Sequence, residues 1–268
     1  MTDMKKVVFV TASCRGIGFA VVRRFAEAGH TTYMGYFSEE ELAETKQEIE
    51  RLGLKNIRPV FNDARDKDSY RQAVETIIEE MGRIDVLVNN FGTSNPRTDL
   101  DLEHTKYEDF LNCLDLNLSS VFLSSQAVIP HMEKQGGGAI INISSIGGVL
   151  PDIARIGYAV SKNAINYMTE NMALQLGRKG IRVNAVCPGQ TATDAVKKNM
   201  SPEFQELFMR HCPIRRMAEP SEMAEAVFYF ASDAAAYTTG QILVVAGGFG
   251  LGTPIFADFA DRSADERH

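Results

Sequence analysis

The chain has 268 residues, of which 44% are apolar and 24% are charged, and its formal net charge is −7. This length fits one large α/β domain or two small ones, and the composition is typical of a globular protein with a full apolar core. The negative charge gives no electrostatic reason to expect DNA, RNA or an anionic membrane as a partner.

Short apolar runs rich in β-branched residues alternate with longer amphipathic runs along the chain. Seven short runs predict strands at 5–11, 31–37, 56–61, 84–90, 139–144, 181–187 and 241–247. Six longer runs predict helices at 16–28, 39–52, 67–81, 107–134, 158–177 and 221–232. Helix start signals occur at Ser38 with Glu41, as a capping box, and at Pro202, as a first helical residue.

Alternation of this kind is typical of parallel strands joined by right-handed helical crossovers. We therefore predict an α/β fold: a Rossmann-type, doubly wound parallel sheet of about seven strands with helices on both faces. No repeat or low-complexity linker divides the chain. This predicts a single domain over 1–268, with an irregular insertion at 189–219 and an extended tail over 248–268.

The stretch "TASCRGIG" (11–18) follows the first predicted strand and leads into the first predicted helix. In a doubly wound sheet, the pyrophosphate of a dinucleotide binds to backbone N–H groups at this place. Gly16 and Gly18 would allow close backbone approach and tight packing of the helix on the strand. Ala12 stands where a first glycine is usual, which is tolerable if its φ stays negative. The glycines alone are a weak signal, but their position favours a cofactor loop.

Polar residues also follow the third and fourth predicted strands. Asp63 comes after the third strand, and "NNFG" (89–92) comes after the fourth. Each alone is more simply a loop cap or a turn former. Together, at successive carboxyl ends, they favour a cofactor crevice.

The choice between NAD and NADP depends on the end of the second strand. An acidic residue there binds the ribose hydroxyls of NAD and repels the 2′-phosphate of NADP. The stretch "GYFS" (35–38) has no such acid, and Arg15 in the glycine loop could bind a 2′-phosphate. This favours NADP, while NAD stays open because no arginine occupies position 36 or 37.

Tyr158 and Lys162 lie four residues apart in a predicted helix and therefore share a face. Ser145 ends the fifth predicted strand, 13 residues before the tyrosine. A neighbouring ammonium and an oxidised nicotinamide would both favour the phenolate, and lowering its pKa by about two units needs roughly 2.7 kcal/mol. Tyr158 would then exchange a proton with an alcohol that Ser145 holds. A surface Tyr–Lys pair is the alternative, and the upstream glycine loop weighs against it.

The cysteines and the amino-terminal stretch bear on the compartment. Cys14, Cys113, Cys187 and Cys212 show neither CxxC pairing nor metal-ligand spacing, which favours reduced thiols and no metal. The apolar run in "MTDMKKVVFV" is too short for a signal peptide, and no stretch approaches membrane-spanning length. We therefore expect a soluble, cytoplasmic protein.

These motifs together resemble the classical short-chain dehydrogenases/reductases over about residues 5–250. The resemblance rests on "TASCRGIG" for T-G-x-x-x-G-x-G, "NNFG" for N-N-A-G, Y-x-x-x-K at 158–162, and "CPG" (187–189). It implies that Asn117, Ser145, Tyr158 and Lys162 are catalytic, with Asn117 binding a water that links Lys162 to solvent. It also implies that Lys162 binds the nicotinamide ribose and Thr193 the carboxamide. The expected cofactor contacts are Thr11, Ser13, Arg15, Gly16, Ile17, Gly18, Phe37, Asp63, Asn90, Gly92, Tyr158, Lys162, Pro188, Gly189, Thr191 and Thr193.

Ala12, Phe91 and Ala246 depart from the family pattern, at places that also vary in clostridial 7α-hydroxysteroid dehydrogenases acting on bile acids. The chain is similar to those enzymes in "VNNFGTSN" (88–95), "PDIARIGYAVSK" (151–162) and "AGGFGLGTP" (246–254). The resemblance implies reversible, NAD(P)-dependent oxidation of a steroid hydroxyl, with 7α favoured. It further implies a homotetramer built on the two long helices and the last strand.

The insertion 189–219 mixes apolar and basic residues, so it is either a lid over a large apolar substrate or a helix packed on the core. An anionic bile-acid side chain could bind Arg155, Arg210, Arg215 or Arg216. Three other functions stay open: a 12α-hydroxysteroid dehydrogenase, a 3-oxoacyl-carrier-protein reductase, and an NAD(P)-binding sensor without catalysis. The complete set of four implied catalytic residues weighs against the sensor.

Overall fold

The computed structural model describes residues 5–152, 154–253, 255–260 and 262. Seven parallel strands form one sheet in the order β3-β2-β1-β4-β5-β6-β7. The strands are β1 (Val7–Val10), β2 (Thr31–Tyr36), β3 (Ile57–Phe61), β4 (Val86–Asn89), β5 (Gly138–Ile143), β6 (Ile181–Pro188) and β7 (Ile242–Val245). The order reverses between β1 and β4, which is where doubly wound sheets open a ligand crevice.

Helices cover both faces of the sheet. They are α1 (Gly16–Glu27), α2 (Glu39–Arg51), α3 (Ser69–Met81), α4 (Tyr107–Lys134), α5 (Ile156–Leu176), α6 (Asp194–Asn199), α7 (Pro202–Arg210), α8 (Pro220–Ala231) and α9 (Phe256–Ala260). One apolar cluster joins α1, α2 and α8 to the sheet, and a second joins α3, α4 and α5 to the opposite face. Strand β1 shows why the sheet needs both layers, because Val8 and Val10 enter the first cluster while Val7 and Phe9 enter the second.

The predicted α/β fold is confirmed, and the ends of all seven strands and six helices lie within two residues of the predicted ends. Local signals explain this agreement. The hydroxyl of Ser38 caps α2 by accepting from the backbone N–H of Glu41 at 3.3 Å. Ser201 caps α7 in the same way, with Pro202 in the first turn.

The insertion at 189–219 is not irregular as predicted, because it contains α6 and α7. Helix α7 has no fully buried residue, and its Phe208 ring stacks at 4.1 Å on Phe249 of the C-terminal segment. The predicted alternative of a stripe packed on the core is therefore wrong for α7. The predicted tail also contains a helix, α9, while its residues 254, 261 and 263–268 lie outside the described residues, as do residues 1–4 of the predicted domain.

Ala12 does not keep the negative φ on which its tolerance was expected to depend. Its φ is +48°, in the left-handed region, where an L-residue costs about 1–2 kcal/mol. The cause lies in the neighbouring loop, because the Asn90 amide donates to the carbonyls of both Thr11 (3.2 Å) and Ala12 (2.8 Å). These two hydrogen bonds stabilise the backbone conformation of the glycine loop, including the positive φ of Ala12.

The remaining global expectations concern membranes, metals and thiols. Among the described residues, no helix is long and apolar enough to span a bilayer. Nor does that part of the chain bring together three His, Cys, Asp or Glu side chains in a position to hold a metal ion. The four cysteines are free thiols and all are buried.

Candidate active site

Four strand ends bring the motifs of the sequence to one edge of the sheet. The glycine loop follows β1, "NNFG" ends and follows β4, Ser145 follows β5, and the Pro188–Gly189 turn ends β6. Because β1, β4, β5 and β6 are neighbours in the sheet, these loops line a single crevice. The crevice lies at the reversal of strand order, where a dinucleotide would be expected.

The start of α1 fits a pyrophosphate. No side chain caps this helix, and its first turn contains no acidic residue, so its first N–H groups remain available to an anion. Gly18 is needed for the close packing beneath the loop, because a Cβ there would lie 2.5 Å from Asn90 Nδ2 and 2.8 Å from Ser13 Cα. Ile17 beside it is partly buried against the core. The residues present therefore fit a nicotinamide dinucleotide.

Thr11, Ser13 and Asn90 tie the glycine loop to the end of β4. The Thr11 hydroxyl accepts from the backbone N–H groups of Asn90 at 3.0 Å and Phe91 at 3.3 Å. The Ser13 hydroxyl is fully buried and donates to the Val10 carbonyl at 2.8 Å. The Thr11 and Ser13 hydroxyls are thus hydrogen-bonded within the protein, and Thr11 joins the glycine loop to the end of β4.

Charged pairs occupy the expected adenosine end. Arg15 is exposed and forms an ion pair with Glu41 of α2 at 2.9 Å. The Arg65 guanidinium pairs with the Asp63 carboxylate at 2.7 Å and holds the pKa of that carboxyl below its usual value. Phe37, just after β2, is 39% exposed. The sequence analysis placed Glu41 only at the start of a helix. Its ion pair with Arg15 depends on the turn between β1 and α1.

The turn after β6 places α6 over the glycine loop. Gly189 packs on the backbone of Ala246, where a Cβ would come within 2.7 Å. Thr191 donates to the Gly189 carbonyl at 3.1 Å. The Thr193 hydroxyl caps α6 by accepting from Val196 N–H, and its methyl group would lie 3.3 Å from a Cβ on Gly16. Thr193 therefore faces the loop that would hold the pyrophosphate.

Three of the four predicted catalytic side chains come together at the carboxyl end of β5. Tyr158 lies in the first turn of α5, and Ser145 forms a side-chain hydrogen bond with its phenol. Lys162, one turn later, is 2% exposed, and its ammonium lies 5.6 Å from the centre of the Tyr158 ring. The ammonium donates to the Ile143 carbonyl at 2.8 Å. Within the described part of the chain, no carboxylate forms an ion pair with it.

The electrostatics of this group differ from the sequence-based expectation. Burial raises the pKa of the Tyr158 phenol above its usual value, while the Ser145 hydrogen bond and the Arg155 charge act in the opposite direction. Burial also lowers the pKa of Lys162 to about 8. In the protein without nucleotide the pKa of the phenol is therefore not lowered, because desolvation outweighs the contributions that favour the phenolate. The lowering expected with an oxidised nicotinamide nearby stays a prediction.

Arg155 is a second cation near the phenol, which sequence reasoning considered only as a partner for a substrate carboxylate. Its φ is +60°, and its guanidinium lies 5.4 Å from the centre of the Tyr158 ring and 3.2 Å from Asp152. Two other candidate anion-binding arginines also pair with carboxylates, Arg210 with Asp258 at 3.0 Å and Arg216 with Glu222 at 2.6 Å. A substrate carboxylate would therefore have to compete with these partners.

Asn117, the fourth predicted catalytic residue, is fully buried in α4 and joins two parts of the site. Its side chain accepts from the Thr93 N–H at 2.9 Å and donates to the Thr93 carbonyl at 3.0 Å and to Ser161 Oγ at 2.9 Å. Its own carbonyl accepts from the Ser120 hydroxyl at 2.8 Å. These bonds hold the loop after β4 against α5, beside Lys162.

Comparison with known proteins gives consistent matches over nearly the whole chain. A family model described as enoyl-(acyl carrier protein) reductase matches residues 11–250. A 7α-hydroxysteroid dehydrogenase of Clostridium sardiniense is 46% identical over 257 residues, which cover 96% of this chain and 98% of the relative. A 3-oxoacyl-[acyl-carrier-protein] reductase of Thermotoga maritima is 36% identical over 91% of this chain and 97% of the relative.

A solved structure shows the same fold with ligands bound. It is a 7α-hydroxysteroid dehydrogenase in complex with NADH and 7-oxo glycochenodeoxycholic acid. The two structures agree with a TM-score of 0.85 at 34% identity, covering 92% of this chain and 96% of the other. The family-model match over residues 11–250 includes both the glycine loop and the helix that carries Tyr158.

Proposed function

Because this chain belongs to the short-chain dehydrogenase/reductase family, we propose that it oxidises the 7α-hydroxyl of bile acids reversibly to the ketone. At the coarser level it is an oxidoreductase that uses a nicotinamide cofactor and acts on an alcohol. The observation that carries the proposal is the group of Tyr158, Lys162 and Ser145 at the end of β5, in which Lys162 is buried and the other two side chains are half-buried. A protein that only binds the nucleotide has no use for such a phenol.

The chain's own residues hold the alcohol and move its proton. When bound, the oxidised nicotinamide supplies the hydride acceptor. Ser145 holds the reacting oxygen by a hydrogen bond, and the Tyr158 phenolate accepts its proton as the ketone forms. In the reverse direction the phenol returns this proton to the developing alkoxide. Lys162 and Arg155 supply positive charge that favours the phenolate over the neutral phenol.

Proton exchange with solvent is assigned to Lys162 and Asn117. Lys162 is buried, and its ammonium can take up the phenol's proton only after it releases one of its own, so the released proton needs a path out. Asn117 lies on that side, where its side chain bonds to Ser161 next to the lysine. A water held near the backbone of Asn117 would complete the path.

We assign NADP as the preferred cofactor and NAD as the alternative. Arg15 is the cation of the glycine loop and is 71% exposed, in a position to bind a 2′-phosphate. No acid stands at positions 35–38 to favour the free ribose hydroxyls of NAD. Asp63, Asn90, Thr191 and Thr193 lie around the same crevice and would bind the rest of the dinucleotide.

The preference for a bile acid is supported by the extent of the similarity to the clostridial 7α-hydroxysteroid dehydrogenase, which covers 96% of this chain. Helix α7 is consistent with an apolar substrate, because its Phe204 and Leu207 are each about half exposed and available to pack on one. The second candidate function is 3-oxoacyl-carrier-protein reduction, which the relative from Thermotoga maritima favours.

Absorbance at 340 nm tests the proposal when cholate, chenodeoxycholate and deoxycholate are each offered with NADP and with NAD. Oxidation at the 7-position predicts turnover of cholate and chenodeoxycholate but not of deoxycholate. Turnover of cholate and deoxycholate without chenodeoxycholate would mean a 12α enzyme. Inactivity with all three, together with reduction of a 3-oxoacyl thioester, would overturn the proposal in favour of the second candidate.

A further inference from the structure

Helix α5, which carries Tyr158 and Lys162, begins in an unusual way. The residue before its first turn, Arg155, is in the left-handed region and its side chain does not cap the helix. A helix start leaves several backbone N–H groups without an intrahelical partner. In most helices a Ser, Thr, Asp or Asn at this position satisfies one of them. Here the partners must come from elsewhere in the chain.

They come from the loop between β4 and α4. The backbone N–H of Ile156 donates to the Leu100 carbonyl at 2.9 Å. The next two N–H groups donate to the two carboxylate oxygens of Asp99, Gly157 at 2.8 Å and Tyr158 at 3.0 Å. Asp99 therefore caps α5 from 58 residues away in sequence, and one of its bonds is to the backbone of the tyrosine itself.

The Asp99 carboxylate is built into the site rather than lying on its surface. It is 2% exposed, and it also accepts from the Ser94 hydroxyl at 2.9 Å and from the Cys113 thiol at 3.7 Å. A buried carboxylate is stable only with such donors, and the positive end of a helix adds a favourable interaction. All the donors named belong to segments that surround Tyr158.

The loop that Asp99 anchors also touches the other catalytic groups. Gly92 lies so close to Lys162 that a Cβ on it would be 2.6 Å from the ammonium. Thr93 forms two backbone hydrogen bonds with the Asn117 side chain. One loop therefore contacts the tyrosine, the lysine and the asparagine, and Asp99 sets the distance between this loop and α5.

We propose that Asp99 is a positioning residue for the reaction, because its bonds to Gly157 and Tyr158 fix the first turn of α5 and with it the phenol of Tyr158. The inference rests on the proposed acid–base role of Tyr158 but not on which alcohol is the substrate. Misplacement of a catalytic group by about 1 Å can cost about 100-fold in rate. The loss should therefore appear in kcat rather than in cofactor binding.

The test compares Asp99→Ala and Asp99→Asn with Asp101→Asn as a matched control. Asp101 lies in the same loop but is exposed, and its carboxylate accepts from the backbone N–H of His104 and pairs with the His104 ring, away from α5. We measure kcat and KM with a bile acid that wild type oxidises, the Kd of NADP by titration calorimetry, and the unfolding temperature. Asp99→Ala should lose about 100-fold in kcat, with the Kd of NADP within twofold of wild type. Asp99→Asn keeps one acceptor and should lose about tenfold, while the control stays within twofold.

Several outcomes would overturn the inference. One is an Asp99→Ala protein with a lower unfolding temperature but wild-type kcat, which means that Asp99 only stabilises the fold. Another is an equal loss in kcat and in NADP affinity, which means general damage to the site. If Asp99→Ala does not fold, Asp99→Asn decides, and wild-type kcat in that variant overturns the inference.

Failure of the proposed function is recognised separately, from the wild-type protein alone. If wild type oxidises no bile acid but reduces a 3-oxoacyl thioester, the proposed substrate is wrong. The Asp99 comparison is then made on that thioester, with the same expected losses.

Discussion

At the scale of single residues, Lys162 shows the energetic cost of placing a cation inside the protein. Lys162 is 2% exposed, and its ammonium donates to the Ile143 backbone carbonyl. Among the described residues, no carboxylate forms an ion pair with it. Burial lowers its pKa to about 8 from 10.5. The protein accepts this cost at the place where a positive charge favours the Tyr158 phenolate.

The cost of burying the Lys162 ammonium predicts how the free energy of unfolding depends on pH. Between pH 8 and 10.5 the unfolded chain keeps the Lys162 proton while the folded chain has lost it, so stability rises with pH in this window. Between pH 7 and 9.5, the free energy of unfolding of wild type should rise by about 2 kcal/mol relative to Lys162→Met. Urea unfolding of both proteins without nucleotide measures this. Lys46→Met, at an exposed position of α2, is the control and should show no such trend.

Glu41 is expected to weaken the preference for NADP, because it already neutralises Arg15 at 2.9 Å. Glu41→Gln should lower the Kd of 2′,5′-ADP by about threefold to fivefold, as expected for a partly exposed ion pair. The Kd of 5′-AMP should not change. Titration calorimetry compares the two ligands, with Glu44→Gln, exposed on the same helix, as the control. An equal effect on both ligands would show that Glu41 does not act through the 2′-phosphate.

The sequence predicts those site residues whose signal is local. Tyr158 and Lys162 are one helical turn apart, and Ser145 ends a predicted strand, so spacing and strand ends bring them together. Asp99 gives no such signal, because its partners Gly157 and Tyr158 lie 58 and 59 residues away. The sequence hints at a distant capping group only because Arg155, the residue before α5, is not a helix-capping type.

At the scale of elements, alternation and burial explain why the sheet and its six main helices are predicted within two residues. Apart from β7, whose residues are partly buried or exposed, each of these elements buries apolar side chains, which leaves a clear periodicity in the sequence. Helices α6, α7 and α9 are short and peripheral, and α7 has no fully buried residue. Their positions depend on contacts such as that between Phe208 and Phe249, which periodicity does not record.

Helix α7 is expected to cover the substrate with its exposed apolar side chains. Leu207 is 52% exposed, so a bound steroid would bury part of this exposed surface. Leu207→Ser should raise the KM for chenodeoxycholate by about fivefold, which corresponds to roughly 1 kcal/mol of lost apolar burial. The KM for NADP and kcat should stay unchanged. Leu102→Ser, at a position that is 82% exposed on another loop, is the matched control. Parallel changes in both variants would contradict a specific role for α7.

At the scale of the whole molecule, the long helices leave large apolar side chains exposed. Phe122 of α4 is 53% exposed, and Tyr167 and Leu174 of α5 are 69% and 84% exposed. Groups of exposed apolar residues often mark an interface between subunits. The edge strand β7 likewise exposes Leu243 and Val244. These surfaces are the ones on which the predicted homotetramer would be built.

Light scattering tests this assembly. Wild type should have four times the chain mass of 29.6 kDa. A charge at the centre of an apolar interface is strongly unfavourable, so Leu174→Lys should give a smaller species with an unchanged fold. Thr76→Lys places the same charge on the exposed face of α3 and should leave the mass unchanged. A wild-type monomer would contradict the assembly.

The account as a whole depends on one hydroxyl group, the phenol of Tyr158, as the group that exchanges a proton with the alcohol. Turnover of the accepted bile acid by Tyr158→Phe, with the Kd of NADP measured on the same protein, tests this most directly. We predict a loss of about 1,000-fold or more in kcat, with the Kd of NADP within twofold of wild type. A Phe variant that keeps more than a tenth of the wild-type kcat would contradict the account.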